Sequence, residues 1–314
     1  MNNEMQILFW ILVFPGFVFT AGLGLFASWL VRKVSALVQY RVGPPFFQPF
    51  WDIRKLLSKE VLIPQEANKW VFIGAPLVAL AGVLLLSTVL GVAAFCSGKS
   101  FVGDIIVVIY LMVLPSLALI LGSSASASPH AAVGTAREMK LVLGYELPLV
   151  LAVIVVIIKS GGALGLAAIS ENTPVASISG AIAFLVCLLC IHAKIGYVPF
   201  DMAEAETELG SGVLMEYSGG LLALWNLTSA MMLVALPMFL VMVFLGGVGT
   251  TAGGIALGLL KYVLVVVLII LIKNTNPRVR IDQAMRFFWI WCGLALIIAI
   301  VLATAGNIYG IGWL

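Results

Sequence analysis

Charged residues are scarce in this chain of 314 residues, since Asp, Glu, Lys and Arg make up only 10% of it and 62% is hydrophobic. A soluble domain usually carries about 25% charged residues, so the composition excludes an ordinary soluble protein. Apolar runs of roughly 20 residues recur, each long enough to cross a bilayer as a helix. The formal net charge of +3 is too small to indicate nucleic-acid binding.

Recognisable catalytic and metal-binding motifs are also lacking. Four cysteines, Cys96, Cys187, Cys190 and Cys292, all lie in apolar runs, which favours packing roles over disulfides. Cys187 and Cys190 are spaced as CLLC, but no further ligands with matching spacing complete a metal site. No Walker motif, dinucleotide fingerprint or Ser/His/Asp arrangement occurs. We therefore expect no catalytic residue, metal or cofactor in this chain.

Hydropathy predicts an all-α polytopic membrane protein, a single integral membrane domain over 1–314. The eight predicted spans cover about 7–31, 70–96, 104–122, 140–158, 176–197, 221–245, 254–273 and 286–305. Loops that follow odd-numbered spans hold 14 of the 17 basic residues. The positive-inside rule then predicts a protein of the cytoplasmic membrane with both termini on the outer side. It also predicts four cytoplasmic loops, 32–69, 123–139, 198–220 and 274–285.

The first cytoplasmic loop reads RVGPPFFQPFWDIRKLLSKE and contains a short amphipathic pattern after Pro49. Phe50, Ile53 and Leu57 recur at helical spacing, which predicts a helix lying in the membrane interface. One interpretation is a lipid anchor. The other is a docking platform for a soluble partner, formed by Phe47, Phe50, Trp51 and Arg54.

Acidic residues are concentrated between Pro199 and Gly220, where five of the chain's 14 occur without any Lys or Arg. They are Asp201, Glu204, Glu206, Glu208 and Glu216. If the chain is helical from Met202 onward, Asp201, Glu204 and Glu208 share one face. A solvated acidic loop is one interpretation, but interleaved Met, Ala, Leu and Val residues favour a packed segment whose carboxylates couple to ion movement.

Two other groups of charges stand out. Glu146 lies in the fourth span, either paired with Arg137 or Lys140 near the interface or acting as a proton-carrying group inside the membrane. The last cytoplasmic loop carries Arg278, Arg280 and Arg286, which can bind lipid phosphates or an acidic partner surface.

Three segments together resemble the NADH dehydrogenase subunit 1 family of respiratory complex I. They are RVGPPFFQPFWDIRKLLSKE, AVGTAREMKLVLGYELP and PFDMAEAETELGSGVLMEYSG, in the family's order. At two places the chain departs from the complex I pattern and is similar to the branch of the family found in membrane-bound [NiFe] hydrogenases, formate hydrogenlyase and sulfane reductases. Gly43-Pro44-Pro45 runs almost directly into Gln48-Pro49, and Gly196-Tyr197-Val198 replaces an Asn-Arg pair.

The resemblance implies a non-redox membrane anchor that links ferredoxin-dependent hydrogen evolution or sulfane reduction to H⁺ or Na⁺ translocation. It implies partner subunits: a soluble arm with iron–sulfur clusters and a [NiFe] or similar centre, and antiporter-like membrane subunits. The residues that it implicates are Glu146 and the acidic stretch, with Arg41 and Arg137 as charge partners. A quinone-site subunit of an NADH:quinone oxidoreductase is the first alternative, and a stand-alone cation transporter is the second.

Overall fold

A computed structural model describes residues 3–95, 103–205, 208, 210–249 and 251–314. Among these described residues, eight helices are long and apolar enough to cross a membrane, which confirms the predicted all-α polytopic architecture. These spans are, in chain order, Glu4–Val38, Lys69–Phe95, Asp104–Ser124, Pro129–Lys159, Ile178–Ile195, Gly219–Phe244, Ala252–Thr275 and Ile281–Tyr309.

Short elements connect or interrupt the spans. The first span consists of Asn3–Leu12 and Phe17–Val38, and the eighth consists of Ile281–Arg286, a π-helical turn Phe287–Cys292, and Gly293–Tyr309. Outside the spans lie the helices Gln48–Leu57 and Leu166–Ser170 and the 3₁₀ turns Pro174–Ala176 and Gly212–Leu214.

The sixth span is the centre of the bundle. It packs against the first, second, fifth and seventh spans and against the helix Gln48–Leu57. Of an apolar stretch of 18 residues in this span, 78% is buried inside the molecule, compared with 22% of the corresponding stretch in the first span. A helix that is apolar on every face is stable in such a central position because each of its sides meets another helix.

The fourth span begins earlier than the sequence predicts. It starts at Pro129, not near residue 140, so most of the predicted loop 123–139 is helical. Ser128 has an extended backbone, and Pro129 occupies the first turn, where a missing N–H costs nothing. The prediction was wrong here because polar residues at the start of the helix lowered its hydropathy without breaking its backbone.

The predicted amphipathic helix is present as Gln48–Leu57, called the surface helix below. Asp52 fixes its inner side, since Arg32 of the first span donates to it at 2.7 Å and Gln48 donates at 2.9 Å. Pro49 is buried, whereas about half of the Phe50 and Trp51 side chains is exposed. The helix therefore packs one face on the bundle and presents an aromatic face outward.

The acidic stretch is not helical from Met202 to Ala205, so the helix considered from Met202 onward does not begin there. Residues 201–205 form a turn closed by the Ala205 N–H bonding to the Asp201 carbonyl at 3.0 Å. Further along, the chain passes back beside Ala203 at Gly212, which has a φ of +48° and where a Cβ would clash with the Ala203 carbonyl. Glycine alone fits this return, because other residues are strained at positive φ and would clash.

Candidate functional site: a polar cavity beside a buried ion pair

Polar side chains from several elements line a small cavity at the end of the bundle that carries the acidic stretch. Its volume is about 60 Å³, enough for more than one water molecule. The ionisable residues on its wall are Glu138, Lys194, Asp201 and Glu204. Three carboxylates and one ammonium group thus meet in a space that water can fill, within a chain that is mostly apolar.

A buried ion pair adjoins this cavity. The Lys194 ammonium donates to Glu146 Oε2 at 2.9 Å, joining the fifth span to the fourth. The side chain of Lys194 is fully buried, and that of Glu146 is 22% exposed. Lys194 also lies 5.3 Å from the centre of the Tyr145 ring, a favourable cation–π distance. These contacts compensate a charge that would otherwise be very costly to bury.

One oxygen of the pair remains without a protein partner. Glu146 Oε1 is buried and accepts no hydrogen bond in the described part of the chain. Buried polar atoms are almost always paired with protein or ordered water. Since its partner Lys194 lies on the cavity wall, the ammonium group connects the cavity to this carboxylate.

The four acidic groups in and beside the cavity differ in exposure. Glu204 is exposed, Glu138 is partly buried, and the Asp201 side chain is 12% exposed. Glu146, which is bound to Lys194 beside the cavity, is 22% exposed. A carboxylate can hold a proton or pass it to a hydrogen-bonded water. These groups therefore form a polar region between the exposed Glu204 and the buried Lys194.

Two arginines fix the acidic stretch to neighbouring elements. Arg278, in the loop before the eighth span, lies 2.7 Å from Asp201 Oδ2. Arg137 of the fourth span donates to Glu208 at 2.7 Å and to the Met202 carbonyl at 3.4 Å. The Glu208 pair is exposed and contributes little stability by itself. The Arg278–Asp201 pair and the bond from Arg137 to the Met202 carbonyl therefore hold the stretch over the cavity.

The structure brings only part of the predicted set together. Asp201 and Glu204 line the cavity, whereas Glu208 pairs with Arg137, so the face expected for a helix from Met202 onward is not shared by these three residues. Glu216 is partly buried and lies outside the cavity lining. Glu206 is outside the described residues.

The predicted charge partners need correction as well. Glu146 pairs with Lys194 and not with Arg137 or Lys140. Among the residues that the structure describes, Arg41 and Lys140 form no ion pair, whereas Arg137 does.

Sequence reasoning missed Glu138 and Lys194 as members of the site. Glu138 falls in a segment predicted to be a loop. Lys194 falls in the last turn of the predicted fifth span and was counted with the cytoplasmic loop cations, as expected for a lysine that reaches the membrane surface. Its full burial against Glu146 gave no signal in the sequence.

A second small cavity of about 140 Å³ lies beneath the surface helix. Arg32, Asp52, Tyr197 and Asn226 contribute its polar wall. Both cavities are lined by Ile195 and Ser229, so they adjoin. Burial raises the pKa of the Tyr197 hydroxyl, which keeps that group neutral at physiological pH. A polar region thus extends from the surface helix to the buried ion pair.

The predicted docking residues share the outer side of the first loop. Phe47 is 63% exposed, and Phe50 and Trp51 are about half exposed. The Arg54 guanidinium lies 5.2 Å from the Trp51 ring centre, so the aromatic patch carries a positive charge.

The end of the acidic stretch anchors this loop to the bundle. Tyr217 stacks on Phe72 with 4.2 Å between ring centres, and its hydroxyl donates to the Phe72 carbonyl at 3.2 Å. Burial raises the Tyr217 pKa to about 12, so this donor is retained at neutral pH. Ser218 Oγ accepts from the Leu62 N–H at 2.9 Å, which ties the segment to the chain that follows the surface helix.

Comparison with known proteins shows which family of membrane subunits this chain matches. A family model described as NADH dehydrogenase matches residues 10–304. The NADH-quinone oxidoreductase H subunit of Syntrophotalea carbinolica is 35% identical over 309 residues, covering 92% of this chain and 93% of that protein. The corresponding protein of Dehalococcoides mccartyi strain CBDB1 has the same name and is 32% identical over 296 residues, covering 91% of this chain and 82% of that one.

A solved structure has the same fold. It is a chain of the membrane-bound sulfane sulfur reductase, described as an archaeal respiratory membrane complex, with a TM-score of 0.82 and 24% identity. The match covers 96% of the present chain and all of the other, and it concerns the fold alone.

Proposed function

This chain belongs to the NADH dehydrogenase family and is a membrane subunit of a complex I-related complex, and we propose that it couples a soluble redox arm to ion translocation. In this proposal the subunit carries no redox centre of its own. It transmits electrostatic and conformational changes between partner subunits. The observation that carries the proposal is the buried Lys194–Glu146 pair beside a cavity lined by three carboxylates.

The surface helix is proposed as the docking site for the soluble arm, which carries the iron–sulfur clusters and the catalytic centre. Its outward aromatic residues and the basic Arg54 can contact either lipid or protein, and the helix borders the second cavity through Pro49 and Asp52. A change in the docked arm would therefore act on the Arg32–Asp52 pair, and through the adjoining cavities on Lys194.

Coupling is proposed to proceed through the carboxylates Glu204, Glu138 and Asp201 to Glu146, and from there to antiporter-like membrane subunits. Movement of a charge near Lys194 changes the field at Glu146 strongly, because a low-dielectric interior screens poorly. Glu206 and Glu216 remain candidate members of this path on the family resemblance alone.

The redox reaction proposed for the complex is ferredoxin-dependent hydrogen evolution or sulfane reduction. Support comes from the shortened Gly43-Pro44-Pro45 segment and from the size of the two cavities, about 60 and 140 Å³. Pockets for small molecules usually measure roughly 300–1,000 Å³. The alternative, a quinone-site subunit, is favoured by the names of the two relatives, which are NADH-quinone oxidoreductase subunits.

Vesicles that contain the purified complex test the proposal. We expect Glu204→Gln and Glu146→Gln to assemble normally but to lose ion uptake per electron-donor turnover, because Gln keeps the shape of Glu but holds no exchangeable charge. Glu208→Gln is the matched control, since that carboxylate is exposed and directed away from the cavity. Normal ion uptake per turnover in both Gln variants would show that these two carboxylates have no role in coupling.

Inhibition distinguishes the two redox reactions. A ubiquinone or menaquinone analogue is expected to leave hydrogen evolution or sulfane reduction unchanged in the proposed complex. Competitive inhibition of electron transfer by the analogue, together with quinone-dependent turnover, would instead establish the quinone alternative.

A further inference from the structure

A third pocket opens on the outside of the bundle, at the predicted cytoplasmic ends of the fifth, seventh and eighth spans. Its volume is about 510 Å³, which is within the usual range for ligand sites. Its wall combines apolar and polar side chains, chiefly Ile272, Phe287, Trp291, Asn276, Gln283 and Arg286. Neither the redox arm nor the carboxylate path accounts for this pocket.

The charge at the pocket is positive. Arg286 is exposed and forms no ion pair in the described part of the chain, although Asp282 precedes it by four residues. Gln283 accepts from the Arg280 N–H at 3.2 Å through its carbonyl oxygen, which leaves its amide N–H groups as donors. A guanidinium with nearby N–H donors is well suited to bind phosphate oxygens.

Apolar side chains beside Arg286 are exposed at the surface of the bundle. Trp291 is 69% exposed and Ile290 is 50% exposed on the neighbouring surface, as expected where a helix meets lipid chains. Trp side chains are enriched at the level of the lipid headgroups. The π-helical turn Phe287–Cys292 begins directly after Arg286, and such turns often mark functional sites. A soluble anion would use Arg286 but would gain nothing from the apolar wall.

We propose that this pocket binds an anionic phospholipid, with its phosphate on Arg286 and an acyl chain along Phe287 and Trp291. Basic pockets between membrane helices on the cytoplasmic side have the chemistry for such headgroups. The lipid would occupy the space between the seventh and eighth spans, where protein packing is incomplete.

A lipid at this position would also support the wall of the polar cavity. Phe200 lines both the cavity and the lipid pocket, and its ring lies 6.2 Å from that of Phe287 and 4.9 Å from that of Phe288. The neighbouring Pro199 carbonyl accepts from the Val279 N–H at 3.2 Å. Filling the pocket would therefore hold Phe200 between the carboxylates and the bilayer.

Photo-crosslinking of the whole complex in nanodiscs tests the proposal. The probes are phosphatidylglycerol and phosphatidylcholine with the same diazirine-bearing acyl chain, and labelled peptides are mapped by mass spectrometry. We expect phosphatidylglycerol to label the peptide that contains Phe287 and Trp291. Arg286→Gln is expected to reduce this labelling about fivefold, the effect of one basic residue near an anionic lipid. Arg286→Lys should retain most of it.

The control variant is Lys55→Gln, which removes an exposed cation of the surface helix far from the pocket and should leave the labelling unchanged. Equal labelling by phosphatidylcholine would mean ordinary boundary lipid and overturn the proposal. So would complete competition by inorganic phosphate, which would indicate a site for a free anion. Absence of labelling with both lipids would indicate that a partner subunit covers the pocket, again contradicting it.

Discussion

Removal of one partner from the Lys194–Glu146 pair is expected to have unequal effects, because the two side chains differ in burial. Glu146→Leu leaves a fully buried ammonium without an acceptor, and breaking a buried pair in this way typically costs about 3–5 kcal/mol. Lys194→Met leaves a carboxylate that is 22% exposed and can reach water. We therefore expect a smaller loss for Lys194→Met, on the order of 1–3 kcal/mol.

The double variant separates stability from coupling. With both charges gone, Glu146→Leu/Lys194→Met replaces the pair by apolar groups, which is often neutral or stabilising in a buried position. The double variant should therefore unfold at a higher temperature than Glu146→Leu alone. It should still fail to take up ions per turnover, because its path lacks both charges.

The assay compares thermal unfolding midpoints of the four purified complexes and then measures ion uptake and donor turnover in the same vesicle preparation. Lys140→Met, which removes an exposed lysine of the fourth span that forms no ion pair in the described chain, is the control. Additive midpoint shifts in the double variant would refute the energetic coupling of the pair. Normal ion uptake in the double variant would refute its functional role.

Three further outcomes are expected. Replacement of Phe50 and Trp51 by Ala should release the soluble subunits from membranes, and an arm that stays bound and active would make the surface helix a lipid anchor only. Gly219→Ala should destabilise the complex by more than about 1 kcal/mol, because φ is +54° and the new Cβ would clash with the Glu60 carbonyl. Gly220→Ala, whose nearest contact is 3.8 Å away, should unfold like the unmodified complex, and equal midpoints for both would contradict this explanation. A cysteine at Ser58, in a background without native cysteines, should resist an impermeant thiol reagent added to intact cells, whereas strong labelling would reverse the predicted orientation.

The proposed path also predicts which acidic residues do not matter for coupling. Charge density along the chain assigns the same importance to all five carboxylates of the acidic stretch. The structure separates the described ones, because Asp201 and Glu204 line the cavity and Glu208 pairs with Arg137 at the surface. Substitution of an acidic residue should therefore reduce coupling only where its carboxylate lines the cavity, and not simply because the residue is acidic.

Hydropathy by itself determined the architecture of this protein. Apolar runs of about 20 residues can be stable only as membrane helices, so the eight spans could be predicted without any tertiary information. The surface helix could be predicted from Pro49 in its first turn and from apolar residues at helical spacing. Both signals are local, because they depend on residues that lie close together in the chain.

The composition of the site depended on which helix faces meet. Lys194 and Glu146 are 48 positions apart, and no local pattern indicates that their side chains are in contact. Glu138 enters the cavity only because the fourth span starts at Pro129 and packs beneath the returning acidic stretch. That return needs Gly212 to pass close to the Ala203 carbonyl. Only the tertiary structure could decide these contacts, since packing between distant segments selects one face of each helix and leaves its local hydropathy unchanged.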